Sequence, residues 1–334
     1  DGLLESLVCA RVVAPCAKSR TFHDVLPLLG EEPSFSLGQL YDGISYLGHE
    51  YRKVVEAANA RVGELFGRDT SRSYFDCTNF YFEIDREDGL RRKGPSKERR
   101  ADPIVGMGLL LDARCVPMGL EIYPGNESER PRIREVIGAL KERHHMTGRT
   151  VRVADKGLNC ADNVADAVLA GDGYLFSKSV RRLPARELAW VLSEEGGEDH
   201  LGRIHHRTKS VTGDFEYRVS REGGGKGTVE LRERRVVTFS PRLRSKQLRE
   251  INRQVEKARR LRLAEARRSE YGDSAKYVTF VAVDSEGEVR DDERVVAALN
   301  REAIGRARSL AGYNMLVTSE ADMPEAEVYD TYHR

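Results

Sequence analysis

At Ser73 the chain changes period, and that change decides what it can fold into. Before it, residues 1–70 read as helical. Ser36 can cap a helix whose apolar positions Leu37, Leu40, Tyr41, Ile44 and Leu47 recur every three or four residues. The pattern runs on through Val54, Val55, Ala58, Val62 and Leu65, and Gly67 supplies a stop. After it, Tyr74 to Phe82 is aromatic and β-prone on both faces, as a central, doubly covered strand requires. A polar, basic connection from Arg86 to Arg100 leads to a second apolar run, Ile104 to Leu111, and then to a third strand, Met118 to Tyr123. Pro124-Gly125-Asn126 signals a turn, and Ile133, Val136, Ile137 and Leu140 mark a helix. Thr150 to Ala154 is a short strand running into Asp155-Lys156-Gly157, followed by a helix (Ala161 to Ala170) and a strand (Tyr174 to Phe176).

Three strands close in sequence form an antiparallel meander, whereas the two later strands need helical crossovers and so become parallel neighbours. The expected class is α/β: a mixed sheet with helices on both faces. Residues 178–312 break the rhythm. Arg203 to Arg207, Phe215 to Val219 and Thr228 to Leu231 alternate like strands, with turns at Thr212-Gly213-Asp214 and Gly223-Gly224-Gly225. Arg242 to Arg268 reads as one long helix with 11 Lys/Arg against 3 Glu, so its charge is strongly local. Tyr277 to Val283 is a further strand, followed by an acidic hairpin around Asp284 to Gly287. The organisation expected is a helical region (1–70), a core (71–177), a β-rich inserted module with a long basic helix (178–312) and a return to the core (313–334).

Composition enters as a filter. With 55 basic and 54 acidic residues among 334, the net charge of +1 argues against a globally basic nucleic-acid binder but not against local basic patches. No run approaches the ~18 apolar residues of a membrane span. Cys9, Cys16, Cys77, Cys115 and Cys160 are odd in number and lack C-x2-C pairing, which points to reduced cytosolic thiols rather than a disulfide or zinc framework.

Two aspartates stand where chemistry is expected. Asp76 lies inside the aromatic strand, where a carboxylate is costly to desolvate unless something cationic neutralises it. Asp155 sits at the carboxyl end of a parallel-type strand, where open α/β sheets bind ligands. If the first and fourth strands are adjacent, the pair converges into an oxygen-rich site suited to Mg²⁺ or Mn²⁺. Taken singly, Asp76 reads as a buried hydrogen-bond acceptor and Asp155 as a turn cap; as a pair in this element order, the metal reading is favoured. Gly223 to Thr228 lacks the G-x4-G-K-[ST] spacing of a phosphate loop. His144-His145 and His205-His206 are adjacent pairs without metal-ligand spacing. Asn126-Glu127-Ser128 is a glycosylation-type match without a secretory signal, and Tyr81 and Phe82 read as core rather than base-stacking groups. Basic clusters at Arg86 to Arg100 (Arg91, Arg92, Lys93, Lys97, Arg99 and Arg100 among them), at Lys178, Arg181, Arg182 and Arg186, and along 242–268 can track a phosphate backbone. Charge runs are more often solvated faces.

A set of segments in fixed order carries a family resemblance. These are Asp76-Cys77-Thr78, Gly94-Pro95-Ser96-Lys97, Gly106 to Asp112, Pro117-Met118-Gly119, Pro124 to Glu129, Val153 to Gly157 and Tyr329 to Arg334. The chain resembles the DDE transposases of bacterial insertion sequences, in the group with a β-rich insertion before the third acid. The resemblance covers about 74–177 well and 313–334 partly.

It implies a ribonuclease H-like core in which Asp76 and Asp155 are the first two catalytic and metal-binding carboxylates, holding two Mg²⁺ ions for which Mn²⁺ can substitute. It further implies Mg-dependent phosphodiester hydrolysis at transposon ends and strand transfer into target DNA. The partners are terminal inverted repeats and target DNA, with a homodimer allowed in the assembled complex, no membrane, and a bacterial cytoplasmic, nucleoid-associated location. In this reading the insertion holds the cleaved end and the N-terminal helices contribute to end recognition. The family's third acid is a Glu in a Y-x2-R-x3-E signature. With Tyr332 as its Tyr, the Arg falls one residue and the Glu five residues beyond Arg334, so the chain is expected to be an internal piece of a longer protein. Asp322 and Glu325 are expected to form a capping box that starts the signature helix near Met323. A non-catalytic DNA-binding remnant and a metal-dependent nuclease of the same fold are the alternatives.

Overall fold

A computed structural model describes all residues except 1, 31–32, 96–100, 144–147, 194–197, 200–206, 222, 264–265, 267 and 284–293. They divide into two compact units, residues 1–68 with 117–120 and residues 69–116 with 121–334.

The first unit is helical: α1 (Gly2–Val13), α2 (Leu37–His49) and α3 (Tyr51–Phe66). Ser36 caps α2 as its position requires, accepting from the Gln39 amide at 3.2 Å while the Gln39 side chain accepts from the Ser36 amide at 2.8 Å. Caps of this kind stabilise a helix by about 1 kcal/mol. The helix expected to continue to Gly67 is instead interrupted at Glu50 (φ −98°, ψ 15°), just after Gly48, whose missing side chain weakens helical propensity. Gly67 does end α3, at φ +65°. Ala10, Val25 and Leu26 pack with Phe22 and Phe35 into the small core of this unit.

The second unit is mixed α/β. The strands are β1 (Arg72–Tyr81), β2 (Ile104–Leu111), β3 (Pro117–Pro124, whose first four residues count with the first unit), β4 (Val151–Ala154), β5 (Gly173–Lys178), β6 (Glu198–Asp199), β7 (Arg207–Ser220), β8 (Lys226–Phe239), β9 (Val278–Val283), β10 (Arg294–Leu299) and β11 (Tyr313–Thr318). The helices are α4 (Glu129–Arg143), α5 (Ala161–Leu169), α6 (Ala185–Leu192), α7 (Pro241–Leu263), α8 (Arg301–Ser309) and α9 (Glu325–Tyr332). Nine strands share one sheet in the order β3-β2-β1-β4-β5-β11-β8-β7-β6, while β9 and β10 pair separately. As the element order predicts, β1 is antiparallel to β2 and parallel to β4, and β4 is parallel to β5.

Alternation along the strands gives the sheet two faces. On one, Val151, Val153, Leu175, Leu316 and Val236 pack with Val328 of α9 and with Tyr74 and Tyr332. On the other, Arg152 reaches Asp166 of α5 at 2.6 Å and Arg235 reaches Glu187 of α6 at 2.5 Å. Helices therefore cover both faces.

Three local expectations are corrected. Thr212-Gly213-Asp214 is no turn: β7 runs straight through it, paired with Arg234, Glu233 and Arg232, because the ladder to β8 continues unbroken on either side of it. The hairpin turns instead at Gly223, Gly224 and Gly225, whose φ values of 87°, 96° and 81° suit glycine. The charges of Arg232 to Arg235 disguise the rest of β8, which continues to Phe239. The last helix begins at Glu325 after Pro324 with no side-chain cap, since the Glu325 carboxylate instead accepts from Ser210 of β7. The acidic hairpin at 284–287, both His-His pairs and most of the Arg203 to Arg207 strand lie outside the described residues. All five cysteines are free, and among the described residues no helix is long and apolar enough to cross a membrane.

Candidate carboxylate site

The parallel register builds the site. Tyr74 lies opposite Val153, which lies opposite Leu175, and the next rung joins Phe75, Ala154 and Phe176. One residue further along each strand come Asp76, Asp155 and Ser177. The three occupy one row across β1, β4 and β5, on the face that carries α9, with neighbouring strands about 4.8 Å apart. Sequence separation of 79 residues between the aspartates is thus closed by a single strand pairing.

Asp76 is exposed rather than enclosed by its aromatic neighbours. The reason is the short fourth strand: β4 ends at Ala154, so beyond Phe75 only β2 flanks β1, and the face bearing Asp76 opens to solvent. No neutralising cation is needed there, and none of the described residues forms an ion pair with either aspartate. The Asp76 Oδ1 accepts from the Cys77 amide at 2.9 Å. The Asp155 Oδ1 accepts from the Gly157 amide at 2.7 Å and the Leu158 amide at 3.3 Å, closing the turn that follows β4. Each carboxylate has one oxygen engaged by backbone and both side chains are exposed, so Asp155 does cap the turn that follows β4.

Tyr332, at the end of α9, lies near Ser177 and is close enough to both aspartates to feel their charge. Burial chiefly raises its phenol pKa, and the negative charges of Asp155 and Asp76 raise it further against the opposing influence of Ser177. Its ring packs against the core under β4 and β5. Tyr332 and the two aspartates therefore meet in one place, although 256 residues separate Asp76 from Tyr332. Ser177, only 4% exposed, was not singled out by sequence because its position in the row depends on register alone.

Around the pair, the glycine-containing segments interlock. A Cβ on Gly94 would sit 2.0 Å from the Gly125 carbonyl oxygen, so both chains approach too closely for any side chain. A cavity of about 260 Å³ opens beside the Asp155 turn, lined by Asn79, Tyr123, Glu127, Glu129, Arg130 and Gly157 among others. The Pro124 to Glu129 segment is thereby brought next to the carboxylates. Tyr81 and Phe82, expected in the core, are 41% and 36% exposed, because β1 outruns the strands that would cover it.

The basic candidates scatter. Arg91 pairs with Asp88 at 2.5 Å and lies over the Phe82 ring, Arg92 bridges to Ile104, and Lys93 is exposed. Arg181 and Arg182 are exposed on a short turn after β5. Lys178 points to the opposite face from Asp76, with its ammonium 5.4 Å from the Tyr217 ring centroid; burial lowers its pKa, as does Arg235 nearby. Lys97, Arg99 and Arg100 lie outside the described residues.

Two exposed carboxylates without an ion-pair partner among the described residues fit a hard divalent cation, which prefers oxygen donors. Among the described residues no group of three His, Cys, Asp or Glu side chains gathers, so Asp76 and Asp155 are the protein donors available here. No family model matches the chain, and no curated protein matches it with significance.

Proposed function

We propose that this protein is a DDE-type DNA transposase with a ribonuclease H-like core, in which Asp76 and Asp155 hold divalent metal for phosphodiester chemistry. The observation that carries the reading is the row Asp76, Asp155, Ser177 with Tyr332 beside it, formed by the β1–β4–β5 register. The meander followed by two parallel strands supports the core. The return of β11 to pair with β5, after the chain leaves at Lys178, supports reading 178–312 as an insertion.

Asp76 and Asp155 would hold Mg²⁺, with Mn²⁺ an acceptable substitute. When bound, the metal supplies Lewis acidity at the scissile phosphate. The residues supply the rest. The backbone bonds at Cys77, Gly157 and Leu158 orient the two carboxylates before metal arrives, which lowers the reorganisation required on binding. Tyr332, kept protonated by burial and by its two anionic neighbours, is a neutral hydrogen-bond donor at neutral pH, suited to a phosphate oxygen.

The test uses protein expressed from the complete reading frame and a plasmid bearing the gene's own flanking repeats. Mg²⁺-dependent cleavage at the repeats and joining to a target plasmid are expected. Asp76→Asn and Asp155→Asn should each lower both by at least about a thousandfold. Cleavage that survives both substitutions overturns the assignment, and cleavage without joining reduces the reading to a nuclease.

A further inference from the structure

The outward face of α7 carries a straight run of cations. Arg242, Lys246, Arg249, Arg253, Lys257 and Arg260 recur every three or four residues and are all exposed. At 1.5 Å per residue the run is about 27 Å long. Ile251, Val255 and Ala258 lie on the opposite side of the helix and are buried, the first two packed with Tyr277, Ile304 and Ala307 and the third with Tyr271 and Val278. Two polar anchors fix the rotation of the helix. Gln247 accepts from the Gly312 amide at 2.8 Å, and Asn252 accepts from Arg308 at 3.0 Å.

A merely solvated helix interleaves acids with bases at i, i+4 so that its charges offset one another. Here Glu250 and Glu256 flank the run and engage Arg253, Arg259 and Arg260. Arg242, Lys246, Arg249 and Lys257 have no carboxylate partner among the described residues. Like charges at this spacing repel, so the face is complementary to an extended polyanion. An amphipathic basic helix that binds membranes does so by inserting its apolar face. The apolar face of α7 is already consumed by the protein core, which removes that mode.

We propose that this face of α7 is a docking surface for the phosphate backbone of duplex DNA. One strand of a duplex carries a phosphate every ~3.4 Å of axis, so the run spans about eight steps of it. The run presents only Arg and Lys, so the interaction is with phosphates and independent of sequence. The inference stands apart from the cleavage reading, since it needs neither metal nor the aspartates.

Binding to a 30-base-pair duplex of arbitrary sequence is measured by fluorescence anisotropy in EDTA across a salt series. The variant Arg242→Gln, Lys246→Gln, Arg249→Gln, Lys257→Gln should bind at least about tenfold more weakly. Its slope of log K against log salt should fall by roughly 2–4 units, about 0.9 for each phosphate no longer neutralised. Arg242→Lys with Arg249→Lys should keep the slope, and because binding is read in EDTA without cleavage the result is separate from any failure of the cleavage reading. If the fourfold variant loses its melting transition, Lys246→Gln with Lys257→Gln reads the same slope at about half the change. An unchanged affinity and slope overturns the proposal. So does a loss confined to anionic phospholipid vesicles or to a single strand, with duplex binding intact.

Discussion

Asp155 and Glu233 are carboxylates of the same sheet, and the molecule treats them in opposite ways. Glu233 is fully buried on the face that carries α6. Its Oε2 accepts from the hydroxyls of Tyr174 (2.7 Å) and Tyr217, and its Oε1 accepts from the Arg235 Nε at 2.7 Å. Arg235 in turn pairs with Glu187 and lies 3.4 Å over the Phe215 ring centroid. Every oxygen is used, and the neighbouring phenol pKa values are driven strongly upward by burial and by the Glu233 charge. Asp155 and Asp76, on the other face, have no cation partner among the described residues and are both exposed. A buried charge must be fully compensated or it unfolds the protein. An exposed pair can stay uncompensated and so be available to a ligand.

The sharpest way to break this contrast is Glu233→Ala. It strands both phenols in the interior, leaves the buried Arg235 with Glu187 as its remaining carboxylate partner among the described residues, and should destabilise the protein by about 3–5 kcal/mol in urea unfolding. A loss under 1 kcal/mol would mean that the network is not what holds β5, β7 and β8 together. The aspartate pair should behave in the opposite sense. Asp76→Asn combined with Asp155→Asn should change metal-free stability by less than about 0.5 kcal/mol, because Asn retains the turn bonds and no ion pair is broken. In the parent, Mg²⁺ at five times its Kd should add about 1 kcal/mol, raising the melting temperature, and this increment should vanish in the double variant.

Asp88 is the smallest effect and an intermediate case, exposed yet tied. The Arg91 amide and guanidinium hold its pKa at about 2, below the ordinary 3.8. Its contribution is therefore present above pH 4 and lost as pH falls through 2. Carboxyl NMR should show this titration, and Arg91→Gln should return it toward the ordinary value.

Much of this was legible from local signals. Ser36, Gly67 and the apolar stripe of α7 obey helix rules that act within a few residues, and Asp155 announced itself as the residue between a strand and a glycine turn. What stayed hidden depends on which strands meet. Exposure of Asp76 follows from β4 being only four residues long, a property of the pairing rather than of Tyr74 to Phe82. Ser177 joins the row only through the β4–β5 register. Lys178, one residue later, reads as one more surface cation until parity turns it to the other face. Glu233 sits in a stretch of alternating charge that resembles a solvated segment, and only the tyrosines of β5 and β7 reveal it as interior.

The register that aligns Asp76 with Asp155 has a consequence in time. A one-residue slip of β4 would send Asp155 to the face of Arg152, and no local interaction restores it. The pairing joins segments 79 residues apart, and loop closure at that separation comes late compared with hairpins such as β7–β8. The two carboxylates are therefore not neighbours in a nascent or half-folded chain. They come together in one step, when β4 docks, and any ligand that needs both must wait for that step.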